Sequence, residues 1–194
     1  NNEITLIPES FNNLKSLKSL NLSRNHLKCL SVSLFSNLQN LTILWLNHCE
    51  LMYLPKEIGY LKNLERLGLK ANCLQELPDE ISQLENLKWL NLEKNELYEL
   101  PDSFKKLKNI SHLNLAENKL EKIPVYFYEM KNLHILLLKQ NRIKNFDDES
   151  VVGLAFLQKL DLRGNPFLKK YQESKFEFYK QLLCLNNFII EDSN

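Results

Sequence analysis

Apolar and polar positions along the chain repeat on two scales. Over short runs the period is two, as in Leu67-Gly68-Leu69 and Leu90-Asn91-Leu92; over the whole chain the same pattern returns every 23 or 24 residues. Residues 64–86 read LERLGLKANCLQELPDEISQLEN, residues 87–109 read LKWLNLEKNELYELPDSFKKLKN, and ISHLNLAENKL opens a further block at Ile110. In block numbering, apolar side chains fall at positions 1, 4, 6, 11 and 14, Asn at 9 and 23, Pro at 15, and Ile or Phe at 18. A period of this length marks a solenoid, whose units bury their apolar faces only by stacking.

Each part of the block has a physical reading. The xLxLx alternation predicts a short strand with leucines inward and variable residues outward. Position 9 falls where the chain turns away from the sheet. There an asparagine is expected to satisfy backbone groups of the turn and of the next repeat. Asn25, Asn72, Asn95, Asn118, Asn141 and Asn165 fill it, with Cys49 as substitute. Leu-Pro at positions 14 and 15 predicts an extended outer segment, followed by at most a brief helix.

Complete blocks start at Leu17, Leu41, Leu64, Leu87, Ile110 and Leu133, and a partial one at Leu157, so the spacings are 24, 23, 23, 23, 23 and 24. The two longer blocks have Ser31 and Asp147 where the others have Pro, which places the extra residue in the outer connection. Residues 1–16 read as a partial first repeat, 17–165 as the repeats and 166–194 as a C-terminal cap, all in one domain. The pattern is entered mid-block, with Asn2, Ile4, Ile7 and Pro8 at positions 9, 11, 14 and 15. The expectation is that residues preceding it are missing, or that this edge packs on another chain. Tyr171, Lys175, Phe178, Leu182 and Leu185 predict a capping helix over about 169–186, with 188–190 as an edge strand.

The pattern LxxLxLxxNxLxxLPxx(I/F)xxLxN closely resembles the leucine-rich repeat family. The resemblance implies an α/β fold: a curved right-handed solenoid with a parallel concave sheet, an irregular or short-helical convex side and a helical cap. Repeats with LPxxI, such as LPKEIGYLKNL at 54–64, are similar to two groups: Ras-suppressor-like proteins of eukaryotes and the repeat proteins of spirochaetes and similar bacteria. Lys- and Asn-rich spacers favour the bacterial group. The implied function is a non-enzymatic protein–protein interaction module that binds a partner on its concave face. The alternative is a scaffold self-associating through its N-terminal edge or its concave tryptophans.

The outward strand positions then give the candidate contact residues: Ile43, Trp45, Arg66, Lys70, Trp89, Asn91, His112, Asn114, Ile135 and Leu137. Both tryptophans of the chain fall in this set, and Trp is enriched at interface hot spots. Two readings stay open for them: partner contact, or a ring lying flat over its neighbours, for which Gly68 leaves room beside Trp45.

Composition narrows the classes. With 44% hydrophobic and 25% charged residues and a net charge of +1, the chain has an ordinary globular make-up rather than that of a dedicated polyanion binder. Concave positions 3, 5, 7 and 8 carry seven basic and three acidic residues, a local +4 that favours a mildly acidic protein partner. Nucleic acid is disfavoured because the basic residues are interspersed with acids. Lateral pairs are expected for Lys70 with Glu93 and Lys94 with Glu117, each worth at most about 1 kcal/mol.

Cys29, Cys49, Cys73 and Cys184 are too scattered for a disulfide framework. His26, Glu50 and Cys73 share position 10 and are of metal-ligand type, but no CxxC or HExxH spacing supports a site. They read as a solvated column with a half-buried thiol, and no cofactor is expected. No phosphate loop, nucleophile elbow or catalytic triad motif is visible, and no apolar run is long enough to insert in a membrane. The compartment stays open between cytoplasm and a bacterial surface or secreted setting.

Overall fold

The computed structural model describes residues 2–167 and 188–189. Among the described residues, eight parallel strands follow one another in chain order, each hydrogen-bonded to the next. They are β1 Ser19–Asn21, β2 Ile43–Trp45, β3 Arg66–Gly68, β4 Trp89–Asn91, β5 His112–Asn114, β6 Ile135–Leu137, β7 Lys159–Asp161 and β8 Phe188–Ile189. Register is regular: the middle leucines Leu20, Leu44, Leu67, Leu90, Leu113, Leu136 and Leu160 are successive partners. The sheet is open, one unit per repeat, as the solenoid reading expects. The edge strand expected at 188–190 is present as β8, pairing Phe188 with Leu160 and Ile189 with Asp161. The capping helix expected over 169–186 lies outside the described residues.

The core is one column of leucines. Leu67, Leu69, Leu90, Leu92, Leu113 and Leu115 are fully buried, and Phe35, Phe104, Phe127 and Phe146 close it on the outer side. Where Leu-Pro or, once, Ile123-Pro124 occurs, a five-residue 3₁₀ turn follows the proline: Lys56–Tyr60, Asp79–Gln83, Asp102–Lys106 and Val125–Glu129. The two 24-residue blocks instead form one-turn α-helices, α1 Val32–Asn37 and α2 Asp148–Gly153. The additional residue lets the connection relax from 3₁₀ to α geometry. Asp147 caps α2, its carboxylate accepting from the Ser150 amide at 2.9 Å.

Two asparagine ladders tie the repeats together. At position 9, Asn72, Asn95, Asn118, Asn141 and Asn165 are buried. Each Oδ1 accepts from the position-11 amide (Leu51, Leu74, Leu97, Leu120 or Ile143) at 3.0–3.1 Å. Each Nδ2 donates to two position-6 carbonyls, one in its own repeat and one in the repeat before, as Asn95 does to Leu92 and Leu69. The ladder therefore reaches back to the preceding repeat, not forward to the next one as the sequence reading expects. The position-9 side chain lies between the position-6 carbonyls of its own and the preceding repeat, and within reach of the preceding repeat's position-11 amide. Asn25 makes the corresponding bond to the Ile4 amide at 3.1 Å, which places residues 2–4 in the register the sequence assigns them. Cys49 substitutes partly, its thiol donating to the Leu22 carbonyl at 3.2 Å.

The second ladder is on the surface. Asn40, Asn63, Asn86, Asn109 and Asn132 donate to the carbonyls of Lys15, Gln39, Lys62, Glu85 and Lys108 at 2.8–3.0 Å. The block pattern shows Asn at 23 but gives it no partner.

Candidate interaction surface

Strands β1–β7 are three residues long, so only positions 3 and 5 stand outward on the sheet proper. Position 7 carries the hydrogen-bonded ladder one step further. Position 8 turns off it with a left-handed backbone in every repeat: Arg24, His48, Ala71, Lys94, Glu117, Gln140 and Gly164 have φ between 53° and 69°. Six of these seven are not glycine, and that conformation costs an L residue on the order of 1 kcal/mol. The turn is held by bonds from the position-8 amide to the position-7 carbonyl of the next repeat, such as Ala71 to Glu93 at 2.8 Å. Position 8 therefore forms a rim of the surface rather than its floor, a distinction no residue type in the column announces.

Position 3 makes one straight row across the sheet. Ile43, Arg66, Trp89, His112, Ile135 and Lys159 are successive Cα partners from β2 to β7. The Trp89 indole stacks on the His112 imidazole, centroids 5.4 Å apart and planes 22° from parallel. Burial lowers the His112 pKa below its usual value, and the Lys159 ammonium adds to the effect. The middle of the row is thus uncharged at neutral pH.

Trp45, at position 5 of β2, joins this row from the side. Its ring lies over Gly68 of β3, where a β-carbon would come within 2.3 Å of Trp45 Cε3. Lying there, it meets Trp89 edge to face with centroids 5.2 Å apart. Both indoles stay half-buried, as do Ile43, Ile135 and Leu137. The two sequence readings of the tryptophans are therefore compatible: the rings lie on their neighbours and still present a face to solvent.

The centre of position 5 is different. Asn114, expected among contact residues, is only 7% exposed. Its Nδ2 donates to Glu93 Oε2 at 3.0 Å and its Oδ1 accepts from the Ala116 amide at 3.0 Å. Both ends of the amide are used internally, so Asn114 supports the surface without forming it. Asn91 is half-buried, its Oδ1 accepting from the Glu93 amide at 2.9 Å.

Charge on the face is resolved by pairing. Lys70 Nζ lies 2.7 Å from Glu93 and Lys94 Nζ 3.6 Å from Glu117, the two lateral pairs expected. Arg163 grips Asp161 with two bonds, Nη2 to Oδ2 at 2.7 Å and Nε to Oδ1 at 3.0 Å. All three acids of the face are thereby taken. Arg24, Arg66, Lys139 and Lys159 have no carboxylate within ion-pair distance among the described residues.

In column 10, His26 Nδ1 and Glu50 Oε1 meet at 2.5 Å. Cys73, expected half-buried, is exposed. The described residues contain no cluster of three ligand-type side chains placed to hold a metal. Cys29, Cys49 and Cys73 are free thiols, and burial raises the Cys49 pKa. No helix among the described residues is long and apolar enough to cross a membrane.

Comparison with known proteins agrees with this geometry. Residues 1–51 and 124–167 match one Leucine rich repeat family, and residues 86–107 match a second of the same description. A leucine-rich repeat protein of Leptospira interrogans superposes with a TM-score of 0.68 at 32% identity, covering 84% of this chain and 53% of that one. An internalin (InlF) from Listeria monocytogenes gives 0.78 over 97% of this chain and 52% of its own, and at 20% identity it shows the fold alone. The volume-regulated anion channel subunit LRRC8A of Homo sapiens and its Mus musculus counterpart are 40% identical over 73 residues, which is 36% of this chain. The chain spans about half the length of the two solved proteins and 9% of the channel subunit. Leucine-rich repeat domains are in general protein–protein interaction modules. With its repeat signature, its open parallel sheet and its buried asparagine ladder, the chain belongs to the leucine-rich repeat family.

Proposed function

We propose that this protein binds another protein on its concave sheet, without catalysing a reaction on it, and that the contact centres on Trp45, Trp89, His112, Ile135 and Leu137. The observation that carries this reading is the half-buried aromatic and aliphatic row held in one register across β2–β6. Large rigid side chains that lie on their neighbours yet keep a wet face are pre-organised: little conformational entropy remains to be lost on binding. The flanking cations Arg24, Arg66, Lys139 and Lys159 add a positive potential that favours a mildly acidic partner.

The test is affinity capture with the wild-type chain and with a Trp45→Ala/Trp89→Ala variant, followed by titration of the recovered partner. Loss of at least tenfold in affinity, with the far-UV spectrum unchanged, is expected. Equal binding by the variant overturns the concave-face assignment. Affinity should fall only modestly with salt; a steep logarithmic slope would mark a polyphosphate ligand instead. Sedimentation of the chain alone distinguishes a partner-binding module from a self-associating scaffold.

A further inference from the structure

We infer that the occupant of the position-3 row is an amphipathic helix of the partner, with carboxylates about fourteen residues apart bracketing two or three apolar side chains. This rests on the concave-face reading above and adds the shape and charge pattern of what binds there.

From β3 to β7 the row reads cation, ring, ring, aliphatic, cation: Arg66, Trp89, His112, Ile135, Lys159, on five consecutive strands in direct register, with Ile43 continuing it beyond Arg66 on β2. Neither terminal cation has a carboxylate within ion-pair distance among the described residues, whereas every acid of the concave face is already held by a base. Carboxylates meeting the row at its ends therefore displace no internal pair. The neighbouring position-5 and position-7 side chains Asn91, Glu93, Lys70 and Asn114 are bonded to one another or to backbone, so they offer a partner little. Beside Trp89 and His112, the unused capacity of the face therefore lies along the row itself.

Spacing selects the shape of the occupant. Adjacent parallel strands are about 4.8 Å apart, so the two cations sit about 19 Å apart along the row. A helix laid across the strands presents one side chain per turn of about 5.4 Å, close to one per strand, and covers the row in about fourteen residues. An extended segment presents same-side residues about 6.6 Å apart and loses register by the third strand. Side chains of a helix at positions 1, 4, 8, 11 and 15 fall on one face and match the five strands in order.

The test is selection from a displayed library of 18-residue peptides on an alanine-rich helical frame, with positions 1, 4, 8, 11 and 15 varied among Glu, Lys, Leu and Ala. A parallel library carries prolines that forbid helix. With the wild-type chain as bait, helical peptides with Glu at 1 and 15 and Leu between them are expected. With Arg66→Glu/Lys159→Glu as bait, Lys is expected at the same two ends. Recovery of no peptide, of peptides without acidic ends, or of the proline-containing acidic peptides equally well overturns the inference. If recovered peptides bind the Trp45→Ala/Trp89→Ala variant as well as the wild type, the concave-face reading falls too. If they lose that binding but ignore the charge reversal, only the helix inference falls.

Discussion

The indole of Trp45 touches that of Trp89 edge to face at a centroid distance of 5.2 Å, although a whole strand separates their backbones. The intervening strand, β3, carries Gly68 at the crossing point. Any larger residue there must push Trp45 aside, since even a β-carbon would lie 2.3 Å from its ring. Gly68→Val is therefore expected to break the tryptophan pair. As these are the only two tryptophans in the chain, the loss reads directly as a reduced near-UV circular dichroism signal. Stability should fall by about 1–3 kcal/mol, the usual cost of overpacking. An unchanged near-UV spectrum would show that the pair does not depend on the gap.

The tryptophans themselves should tolerate truncation. Aromatic pairs contribute roughly 0.5–1.5 kcal/mol beyond area burial. Both rings are half-buried rather than sealed in the core, so Trp45→Ala is expected to cost about 1–2 kcal/mol, or roughly 2–8 °C of melting temperature for a chain of this size. A fall of ten degrees or more by calorimetry would make the ring a structural member instead.

Position 9 should behave in the opposite way. Asn95→Ala leaves the buried Leu74 amide without its acceptor, and takes one of two donors from each of the Leu69 and Leu92 carbonyls, which keep Asn72 and Asn118. An unsatisfied buried group costs about 1–3 kcal/mol, so a loss of about 2–4 kcal/mol in urea denaturation is expected. Cys49→Ala should cost less, because the thiol is a weak donor shared between the Leu22 carbonyl at 3.2 Å and the Asn47 carbonyl at 3.5 Å. Equal losses for the two would contradict the ladder's assigned role.

The fold was legible because its signal is redundant: strand, turn, proline and outer apolar position recur in each block, and Leu67, Leu90 and Leu113 sit where the period puts them. Features that depend on contacts between repeats were less legible. Nothing in Arg24, His48 or Ala71 as residue types announces a left-handed backbone; the carbonyl of the next repeat imposes it. Asn114 looks like its neighbour Asn91 in sequence, yet Glu93 and the Ala116 amide claim both ends of its side chain. The direction of the position-9 ladder depends on which backbone groups lie within reach of the side chain, and a period cannot carry that. By contrast the pairs Lys70–Glu93 and Lys94–Glu117 followed from register alone, because they are neighbours in a column.

The helical insertion at the last full repeat depends on its cap. Asp147 Oδ1 accepts both the Ser150 amide at 2.9 Å and the Ser150 hydroxyl at 2.7 Å, and Tyr128 donates its hydroxyl to Ser150 at 2.9 Å. Asp147→Ala should cost about 1–2 kcal/mol. Asp147→Asn should recover most of that, since an amide oxygen also caps. If Asn and Ala prove equally damaging in chemical denaturation, charge rather than capping is what Asp147 supplies.

His112 gives the molecule a pH dependence whose sign is fixed. Burial under the row, with the Lys159 ammonium second, lowers its folded pKa below the unfolded value of about 6.5. The unfolded chain therefore binds the proton more readily than the folded one. Stability contributed by the neutral ring is complete above about pH 6.5 and is lost as pH falls through the folded pKa. His112→Gln keeps a flat polar side chain beside Trp89 but cannot titrate. Melting temperatures of wild type and variant are expected to run parallel above neutrality, with the wild type falling more steeply on acidification. Parallel curves throughout, or a wild type that gains stability in acid relative to the variant, would show that the imidazole is not held neutral on this face.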